Sequence, residues 1–417
     1  MARIGILTLY ATGHLFPSLA LARALEQHGH QPIFFNLLDT EGVIEAAGIH
    51  FVPYATQEYP LGSLKEIMEK IAALSGQPAF AYYVERMMTL FRAGFRDLPE
   101  TLRRESLDLL IADQVYFAAD TLAMHLEVPF VSLANALLIN REDMIPPPAM
   151  LWPYDDSPAG QERNCKGWAG VDQALVPLLE LINGQRATWK LPPYRNIEES
   201  FSSLAQIVQQ PSFLDLPRRQ APSTLHMVGP LRDDNESVDI PFEWDWLDGR
   251  PLIFASCGTL QNRLRFVFEA MIEACGLFNA QTVIALGSNA LDPDSFHNVP
   301  PNVKLATFVP QRELLRRTTL CITHAGLNTT LDCLEFGVPM VAVPIASEQP
   351  GIAMRIAHLG VGKVIPLTEL NKTTLEAAIE EVLSHPSYGS AAKSAATKMS
   401  TLYPIAHAVK IIEAVLP

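Results

Sequence analysis

The sequence predicts an α/β protein that folds around two doubly wound parallel sheets, one in each half of the chain. With 417 residues the chain is long enough for two ordinary domains. Hydrophobic residues make up 48% of it and charged residues 18%, which is typical of a folded protein rather than a disordered one. Short apolar runs alternate with helical patterns in both halves, and both halves open in the same way.

The first half opens with an apolar run at 3–10, RIGILTLY, which predicts a buried strand. The turn ATGH follows, and from Leu15 onward apolar residues recur at helical spacing. Pro17 suits the first turn of this helix, and Gly29 suits its C-cap. The runs QPIFFN, LDLLIAD and PFVSLA then continue the alternation of strands and helices.

The second half repeats this opening from residue 251, where PLIFAS predicts a strand, CGTLQNR a loop and LRFVFEAMIEACGLF a helix. Further apolar runs follow: QTVIALG, VKLATFV, TLCITH and PMVAVPI. Near-continuous apolar strands that alternate with helices are typical of parallel sheets covered on both faces. Each half is therefore predicted to be a Rossmann-like domain.

Composition sets the predicted domain boundaries. The first domain covers 1–215 and the second 241–400. Between them, 216–240 is rich in proline and charge and lacks sustained periodicity, which indicates an interdomain linker. The final segment, 401–417, predicts a helix, and the proline-rich stretch 145–158 indicates a long excursion over the mouth of a pocket.

The charge balance argues against two classes of partner. With 45 acidic and 31 basic side chains the formal charge is −14, which disfavours nucleic acid and anionic membrane surfaces. No segment approaches the roughly 18 consecutive apolar residues of a transmembrane helix. The apolar opening lacks the cleavage pattern of a secretory signal, so we expect a cytoplasmic protein. Nothing in the sequence indicates an oligomeric state.

The cysteines are scattered along the chain, odd in number and without a C-x-x-C pair. This pattern indicates neither a disulfide framework nor a zinc site. We expect all of them to be buried as small apolar residues. They are Cys165, Cys257, Cys275, Cys321 and Cys333.

A crowded polar turn, THAGLNTTLD at 323–332, separates two apolar runs of the second half. Ligands of open parallel sheets lie beyond the carboxyl ends of the strands, where loops lead into helix N-termini. Gly326 permits close approach of the backbone, and Asn328 or Thr329 can cap the next helix. His324 can add a donor from its ring. The turn predicts an anion cradle, and a simple helix cap is the open alternative.

The stretch 308–349 resembles the nucleotide-sugar signature of family-1 glycosyltransferases. In plant members the signature runs from W-x-P-Q through H-x-G-x-N-S-x-x-E and G-V-P to D-Q, and this chain has FVPQ, HAGLNTTLD, GVP and EQ in the same order. The resemblance implies the B-type glycosyltransferase fold, in which two domains face each other across a cleft and the last helix crosses back to the first domain. It also implies a UDP-sugar as donor substrate and no further cofactor.

The resemblance assigns the nucleoside to one group of residues. The uracil would lie against Phe308 and the backbone of Val309, with Gln311 beside the nucleoside. Asp332 would accept hydrogen bonds from the ribose hydroxyls. Phe308 stands where plant members have Trp, which keeps stacking on a smaller ring. Asp332 stands in place of Glu, which shortens the reach to ribose by one methylene.

The resemblance assigns the diphosphate and the sugar to a second group. The sugar hydroxyls would be bound by Glu348 and Gln349, and Glu348 stands where the plant signature has Asp. The longer side chain bears on which sugar is chosen more than on which nucleotide. The residues implied for the diphosphate are Gly258, Thr259, His324, Gly326, Asn328 and Thr329.

A second polar turn, ATGHLFP, places His14 after the first strand of the first half. In the family, the histidine of a G-H-x-x-P opening is the general base that takes a proton from the acceptor, and imidazole suits this because its pKa lies near neutrality. Asp113, at the end of LDLLIAD, matches the family aspartate that orients this histidine and stabilises its imidazolium. A surface histidine and a helix cap are the alternatives from the residues alone.

The resemblance implies a single in-line displacement that inverts the anomeric carbon and gives a β-glycoside, with glucose as the expected sugar. The transition state should resemble an oxocarbenium ion, as in glycoside hydrolysis. We expect no metal. Asp292 and Asp294 form a D-x-D pair, but the intervening proline makes a surface turn the better interpretation.

The acceptor is expected to bind the first domain and to be a small lipophilic alcohol or phenol, such as a terpenoid, polyketide or flavonoid. Met87, Met88, Phe91 and Phe95 lie on or near one helical face and would line an apolar pocket, with core packing as the alternative. The sequence leaves two other functions open. These are a nucleotide-sugar epimerase or glycan phosphorylase of the same architecture, and a non-catalytic nucleotide-sugar-binding protein.

Overall fold

The computed structural model describes residues 1–74, 76–233, 240–260, 262–288 and 290–417. Within these residues lie two parallel sheets, one of seven strands in the first half and one of six strands in the second. Helices pack on both faces of each sheet, as the separate hydrophobic clusters show. The predicted α/β class with two doubly wound sheets is confirmed.

The first sheet is built from β1 to β7, and every pairing in it is parallel. Its strands are β1 Arg3–Leu7, β2 Gln31–Asn36, β3 His50–Pro53, β4 Leu109–Asp113, β5 Phe130–Ala134, β6 Ala205–Val208 and β7 Leu225–Met227. Its helices are α1 Thr12–Gln27, α2 Glu41–Ala46, α3 Ser63–Ala73, α4 Gly76–Glu105, α5 Ala119–Leu126 and α6 Pro158–Thr188.

The second sheet is built from β8 to β13 and is also parallel throughout. Its strands are β8 Leu252–Ser256, β9 Gln281–Ala285, β10 Val303–Ala306, β11 Thr318–Thr323, β12 Met340–Ala342 and β13 Gly362–Val364. The helices of this half are α7 Arg265–Cys275, α8 Gln311–Leu315, α9 Leu327–Phe336, α10 Gln349–His358, α11 Lys372–Ser384, α12 Pro386–Met399 and α13 Pro404–Val415.

The strand order is β3-β2-β1-β4-β5-β6-β7 in the first sheet and β10-β9-β8-β11-β12-β13 in the second, so each sheet has a point at which the order reverses. In the first sheet this point lies between β1 and β4, and in the second between β8 and β11. At such a switch point the loops leave neighbouring strands in opposite directions and open a crevice at the carboxyl edge of the sheet. The crevices of the two sheets are therefore where ligands are expected to bind.

Helix α1 begins at Thr12 rather than at Leu15, because its first backbone hydrogen bonds run from the N–H groups of His14 and Leu15 to the carbonyl of Ala11. The prediction that Pro17 lies in the first turn is therefore wrong, since Pro17 lies inside the helix. His14, in contrast, lies in the first turn, directly beside the crevice.

Part of the range predicted as a linker, 216–240, is sheet, because β7 pairs with β6 along the edge of the first sheet. Three residues are enough for this pairing, and they are too few to produce a periodic pattern. Residues 234–239 of the same range lie outside the described residues.

Two segments connect the halves by packing. The stretch 145–158, predicted to be an excursion, contacts the second half, where the N–H of Gly351 donates to the carbonyl of Pro148 at 2.8 Å. Helix α13 packs its buried residues Ala408, Val409 and Ile412 into the same cluster as Leu15 of α1. The last helix therefore completes the core of the first half.

Three smaller expectations have clear outcomes. Four cysteines are buried, but Cys165 is exposed, because it lies on the solvent face of α6, so that expectation is wrong for Cys165. Asp292 caps a short turn by accepting from the N–H of Asp294 at 2.9 Å, as the interpretation of this pair as a turn predicted. Among the described residues, none of the helices combines the length and the apolar character that crossing a membrane requires.

Candidate functional site

The structure brings His14 and Asp113 together at the switch point of the first sheet. His14 lies in the first turn of α1, just after β1, and Asp113 is the last residue of β4, which pairs with β1. The imidazole Nδ1 lies 2.6 Å from Oδ2 of Asp113. The side chain of His14 is 18% exposed and that of Asp113 1%, so the histidine alone faces the crevice.

The carboxylate of Asp113 is held by several donors besides His14. Its Oδ2 accepts from Nδ2 of Asn135 at 3.0 Å and from the Thr8 hydroxyl at 3.3 Å, and its Oδ1 accepts from the N–H of Val115 at 3.1 Å. Burial alone would raise the pKa of Asp113, but the charge and hydrogen bond of His14, together with the hydrogen bonds from Asn135 and Val115, lower it. Asp113 is therefore a carboxylate, which requires the proton of a neutral His14 to sit on Nδ1.

The charge state of His14 follows from two opposing effects. Burial alone would lower the pKa of His14, but the charge and hydrogen bond of Asp113, with a contribution from Glu348, outweigh it and raise the pKa. With Nδ1 committed to Asp113, the lone pair of Nε2 is left to accept a proton. This is the arrangement of a general base oriented by a buried carboxylate.

Asn135 is a member of this site that the sequence interpretation missed. Its Nδ2 donates both to Asp113 and to the hydroxyl of Ser18 at 3.0 Å, and that hydroxyl donates to the carbonyl of His14 at 2.9 Å. A signal was present, because Asn135 directly follows β5, which ends at the same edge of the sheet as β4. An amide at that position closes a ring of hydrogen bonds around the histidine and its carboxylate.

In the second half, the ring of His324 is enclosed by two glycines. His324 follows β11, and a Cβ on Gly258 would lie 2.6 Å from its Cε1, while a Cβ on Gly326 would lie 2.5 Å from its Nε2. Burial lowers the pKa of His324 to about 4, so the imidazole is neutral near pH 7. Its Nδ1 is buried without a hydrogen-bond partner among the described residues. A neutral ring supplies one N–H donor without a charge.

The predicted diphosphate cradle forms the start of α9. The first helical hydrogen bond runs from the N–H of Thr330 to the carbonyl of Gly326 at 3.0 Å, and Thr329 is buried in the first turn. The preceding N–H groups of a helix have no partner within it and carry the positive end of its dipole. This geometry offers an anion the backbone donors that the sequence predicted.

Two residues predicted to hold the diphosphate form polar contacts with the first half of the chain. The amide of Asn328 donates from Nδ2 to the carbonyl of Gly13 at 3.1 Å. The hydroxyls of Thr259 and Thr12 lie 3.0 Å apart. The loop after β8 and the start of α9 therefore both meet the first turn of α1, which carries His14.

The residues predicted for the nucleoside have different environments. Phe308 is 49% exposed, as a stacking surface requires, while Val309 is buried. Gln311 donates from Nε2 to Oδ2 of Asp332 at 2.6 Å. Asp332 also lies 2.5 Å from Nη1 of Arg232 and 3.0 Å from Nη1 of Arg312. The sequence did not predict these arginines, which form ion pairs with the carboxylate assigned to the ribose.

The residues predicted for the sugar lie at the start of α10. Gln349 accepts with Oε1 from the N–H groups of Ile345 and Ala346, at 2.8 and 3.0 Å, and so shapes the loop before the helix. Burial raises the pKa of Glu348, and its carboxyl interacts electrostatically with His14 and Asp113. The loop assigned to the sugar therefore lies close to the residues assigned to the chemistry.

The apolar stripe on α4 has a structural role for most of its members. Met87, Phe91 and Phe95 are buried in the core of the first half, so the core-packing alternative is correct for them, whereas Met88 is only partly buried. Tyr83 on the same helix is also partly buried, and burial raises its pKa, with smaller contributions from the charges of Asp113 and Glu348. Tyr83, rather than the stripe, lies next to the site.

Comparison with known proteins agrees with this geometry. Residues 269–414 match the family model described as erythromycin biosynthesis protein CIII-like, C-terminal domain. The zeaxanthin glucosyltransferase of Pantoea ananas is 31% identical over 344 residues, which cover 82% of this chain and 80% of that protein.

Solved structures show the same fold over the whole length. The glycotransferase of kitacinnamycin superposes with a TM-score of 0.78 at 21% identity. The match covers 100% of this chain and 99% of that protein's chain. The glycosyltransferase VinC, solved in complex with dTDP, has a TM-score of 0.71 at 19% identity and covers 99% of each chain. With the identity and coverage of the zeaxanthin glucosyltransferase, these findings establish that the chain belongs to the family-1 glycosyltransferases, with the B-type fold.

Proposed function

We propose that this glycosyltransferase moves a sugar, glucose, from a UDP-sugar to a hydroxyl of a small lipophilic acceptor, with inversion to a β-glycoside. The observation that carries the proposal is the His14–Asp113 pair, 2.6 Å apart, at the edge of the crevice that faces the start of α9. A base and an anion-binding helix end on opposite sides of one cleft are what a displacement of a nucleoside diphosphate requires.

The proposed reaction is a single displacement. Nε2 of His14 takes the proton of the acceptor hydroxyl as its oxygen attacks the anomeric carbon. The new C–O bond forms on the face opposite the bond to the diphosphate, which breaks and releases UDP. Asp113 stabilises the imidazolium that results, as the carboxylate of a serine-protease triad does.

The leaving diphosphate gains negative charge as its bond to the sugar breaks. In the proposal, the free N–H groups at the start of α9 and the neutral ring of His324 stabilise that charge, together with the backbone around Gly258. These donors carry no full charge, and their arrangement is present before the substrate binds. No metal and no further cofactor takes part in the mechanism we propose.

Two observations support the choice of glucose, UDP and a lipophilic acceptor in this proposal. The sequence signature resembles that of UDP-sugar enzymes, and the relative from Pantoea ananas is named for glucose and for zeaxanthin, a carotenoid diol. The partly buried Tyr83, which interacts electrostatically with Asp113 and Glu348, offers the acceptor an aromatic wall next to the base. Because VinC was solved in complex with dTDP, an assay has to determine first whether this chain uses a UDP-sugar or a dTDP-sugar.

The test measures UDP release from UDP-glucose with phenols, terpenoid alcohols and carotenoid diols, in buffer that contains a chelator. The wild type is compared with His14→Ala, and dTDP-glucose serves as a second donor. We expect acceptor-dependent release that falls about 10³-fold or more in His14→Ala while the affinity for UDP is kept. Acceptor-dependent release that is equal in both proteins would contradict the role of His14 as the base. Binding of UDP without any release would favour the non-catalytic binding protein.

A further inference from the structure

The carbonyl of Gly13 is left without its partner inside α1. In an α-helix this carbonyl would accept from the N–H of residue 17, but Pro17 has no N–H. The proline is therefore responsible for an open acceptor in the first turn of the helix, next to His14. An unpaired carbonyl that faces another segment needs a donor from that segment.

Asn328, from the second half, supplies that donor. Its Nδ2 donates to the carbonyl of Gly13 at 3.1 Å, and its Oδ1 accepts from Nε2 of Gln209 at 3.1 Å. Gln209 directly follows β6 and donates from the same Nε2 to the carbonyl of Asn135. Backbone carbonyls only accept, so these contacts fix the orientation of both amides.

We propose that Asn328 is a positioning residue for the transfer reaction. It forms an amide bridge, defined here as Gly13, Asn328 and Gln209, that holds the start of α9 against the first turn of α1. Both ends of the bridge lie next to the proposed catalytic pair. Gly13 precedes His14, and Asn135, which accepts from Gln209, donates to Asp113 at 3.0 Å.

The inference rests on the proposed function and extends it, because the resemblance implies only a diphosphate contact for Asn328. One N–H of its amide is used by Gly13, and the oxygen is used by Gln209. The guanidinium of Arg232 also donates to the backbone carbonyl of Asn328 at 3.1 Å, so the residue is fixed from the second half as well. Through the bridge, the base and the leaving group keep a constant separation across the cleft.

Gln209 provides the sharpest test, because it belongs to the first half and is not assigned to the donor. Gln209→Met keeps the volume and removes the amide. Gln206→Met is the matched control, since Gln206 is a buried glutamine on β6, three residues before Gln209, and its hydrogen bonds stay within the first half. UDP release and UDP affinity are measured for both variants, for Asn328→Ala and for the double variant Asn328→Ala/Gln209→Met.

We expect kcat to fall about tenfold in Gln209→Met and in Asn328→Ala, with UDP affinity within about threefold of wild type. The double variant should fall no further than either single variant, because both break one bridge. Gln206→Met should keep the wild-type kcat. A large loss of UDP affinity in Asn328→Ala with normal turnover in Gln209→Met would overturn the inference and make Asn328 a direct ligand of the diphosphate.

Pro17→Ala tests the origin of the bridge. It gives residue 17 an N–H that competes with Asn328 for the carbonyl of Gly13, so we expect kcat to fall although the helix itself gains propensity. Pro177→Ala is the control, because Pro177 lies inside α6 in the same way and lines a groove between α4 and α6. Equal kcat in wild type and Pro17→Ala would contradict the role given to the proline.

A readout without turnover separates the two proposals. The unfolding temperatures of wild type, Asn328→Ala, Gln209→Met and the double variant form a double-mutant cycle. If the bridge exists, the unfolding temperature of the double variant falls by less than the sum of the decreases in the two single variants. Additive losses would contradict the bridge, whereas a coupled cycle in a protein that releases no UDP would contradict only the proposed function.

Discussion

At the scale of single residues, the site depends on how neighbours set the charge of two histidines. His14 has a raised pKa, because the charge of Asp113 outweighs the effect of burial, while burial lowers the pKa of His324 to about 4. Near neutral pH, the first can hold a proton taken from an acceptor, and the second remains a neutral donor. The two roles proposed for these residues therefore need no change of protonation at His324.

We predict that kcat/KM rises with pH and reaches a plateau, with an inflection above the ordinary imidazole pKa of about 6.5. The sign follows because His14 has to be neutral to accept a proton and its pKa is raised by Asp113, with a smaller effect from Glu348. In Asp113→Asn the inflection should move to lower pH, because burial lowers the pKa of His14 and the charge of Asp113 no longer opposes that effect.

The same variant should lower the plateau of kcat/KM by about 10²-fold to 10⁴-fold, since the amide no longer stabilises the imidazolium. Asp120→Asn is the control, because Asp120 is a largely buried carboxylate bound to Tyr194 and not to the site. An unchanged pH profile in Asp113→Asn would contradict the pairing as the cause of the shift.

Gly258→Ala is predicted to weaken UDP binding by at least about tenfold, because the new Cβ would lie 2.6 Å from the ring of His324. Isothermal calorimetry with UDP measures this loss. Gly249→Ala is the matched control. Gly249 also has a positive φ, +92° against +68° for Gly258, but no atom lies within 4 Å of a Cβ there. Equal UDP affinity in Gly258→Ala and wild type would show that the ring can move aside.

At this scale the sequence predicted the polar residues that follow strands, since a motif with fixed spacing marks them. It did not predict Asn135, Gln209 or Arg232. Each acts through a contact with a residue far away in the chain, such as the 3.1 Å contact between Gln209 and Asn328. The contacts of Gln209 and Arg232 with Asn328 depend on how the two halves pack, which no local pattern records. Those of Asn135 stay within the first half, where its position after β5 was the available signal.

At the scale of elements, the order of strands and helices was predictable, but the start of α1 was not. The first turn contains Thr12 and Gly13, which have low helix propensity, and Pro17 usually marks a helix start rather than its interior. Packing against the sheet and the second half outweighs these local preferences. The three-residue strand β7 escaped prediction for a similar reason, because pairing with β6 alone defines it.

Helix α10 is anchored to the first half by a buried ion pair. Both Nε and Nη2 of Arg355 donate to Oδ1 of Asp215, at 3.1 and 2.8 Å, and the two side chains are 2% and 3% exposed. We predict that Arg355→Met lowers the free energy of unfolding by about 2 kcal/mol, because it removes two charge-assisted hydrogen bonds from the buried carboxylate, while Nε of Arg218 still pairs with Oδ2 of Asp215. Urea denaturation measures the change.

Arg195→Met is the control for this loss. Arg195 pairs with Glu199, four residues along the chain, but its side chain is 89% exposed, so solvent screens the pair and little stability should be lost. If both variants lose the same amount, the pair at Arg355 does not anchor α10.

At the scale of the whole molecule, the two sheets place their switch points on opposite sides of one cleft. His14 and Asp113 come from the first sheet, and Gly258 and His324 come from the second. The alternation of strands and helices predicted both sheets. It could not predict how they face each other, because that depends on contacts such as those of Asn328, Thr259 and Gly351 across the cleft.

The position of α13 has a consequence for biosynthesis. Its residues Ala408, Val409 and Ile412 are fully buried in the same cluster as Leu15 and Leu19. Chains emerge from the ribosome N-terminal end first, and domains generally fold as they emerge. Here the half that is translated first cannot close its core until 404–415 have been translated, so it has to wait, partly open, while the second half is synthesised.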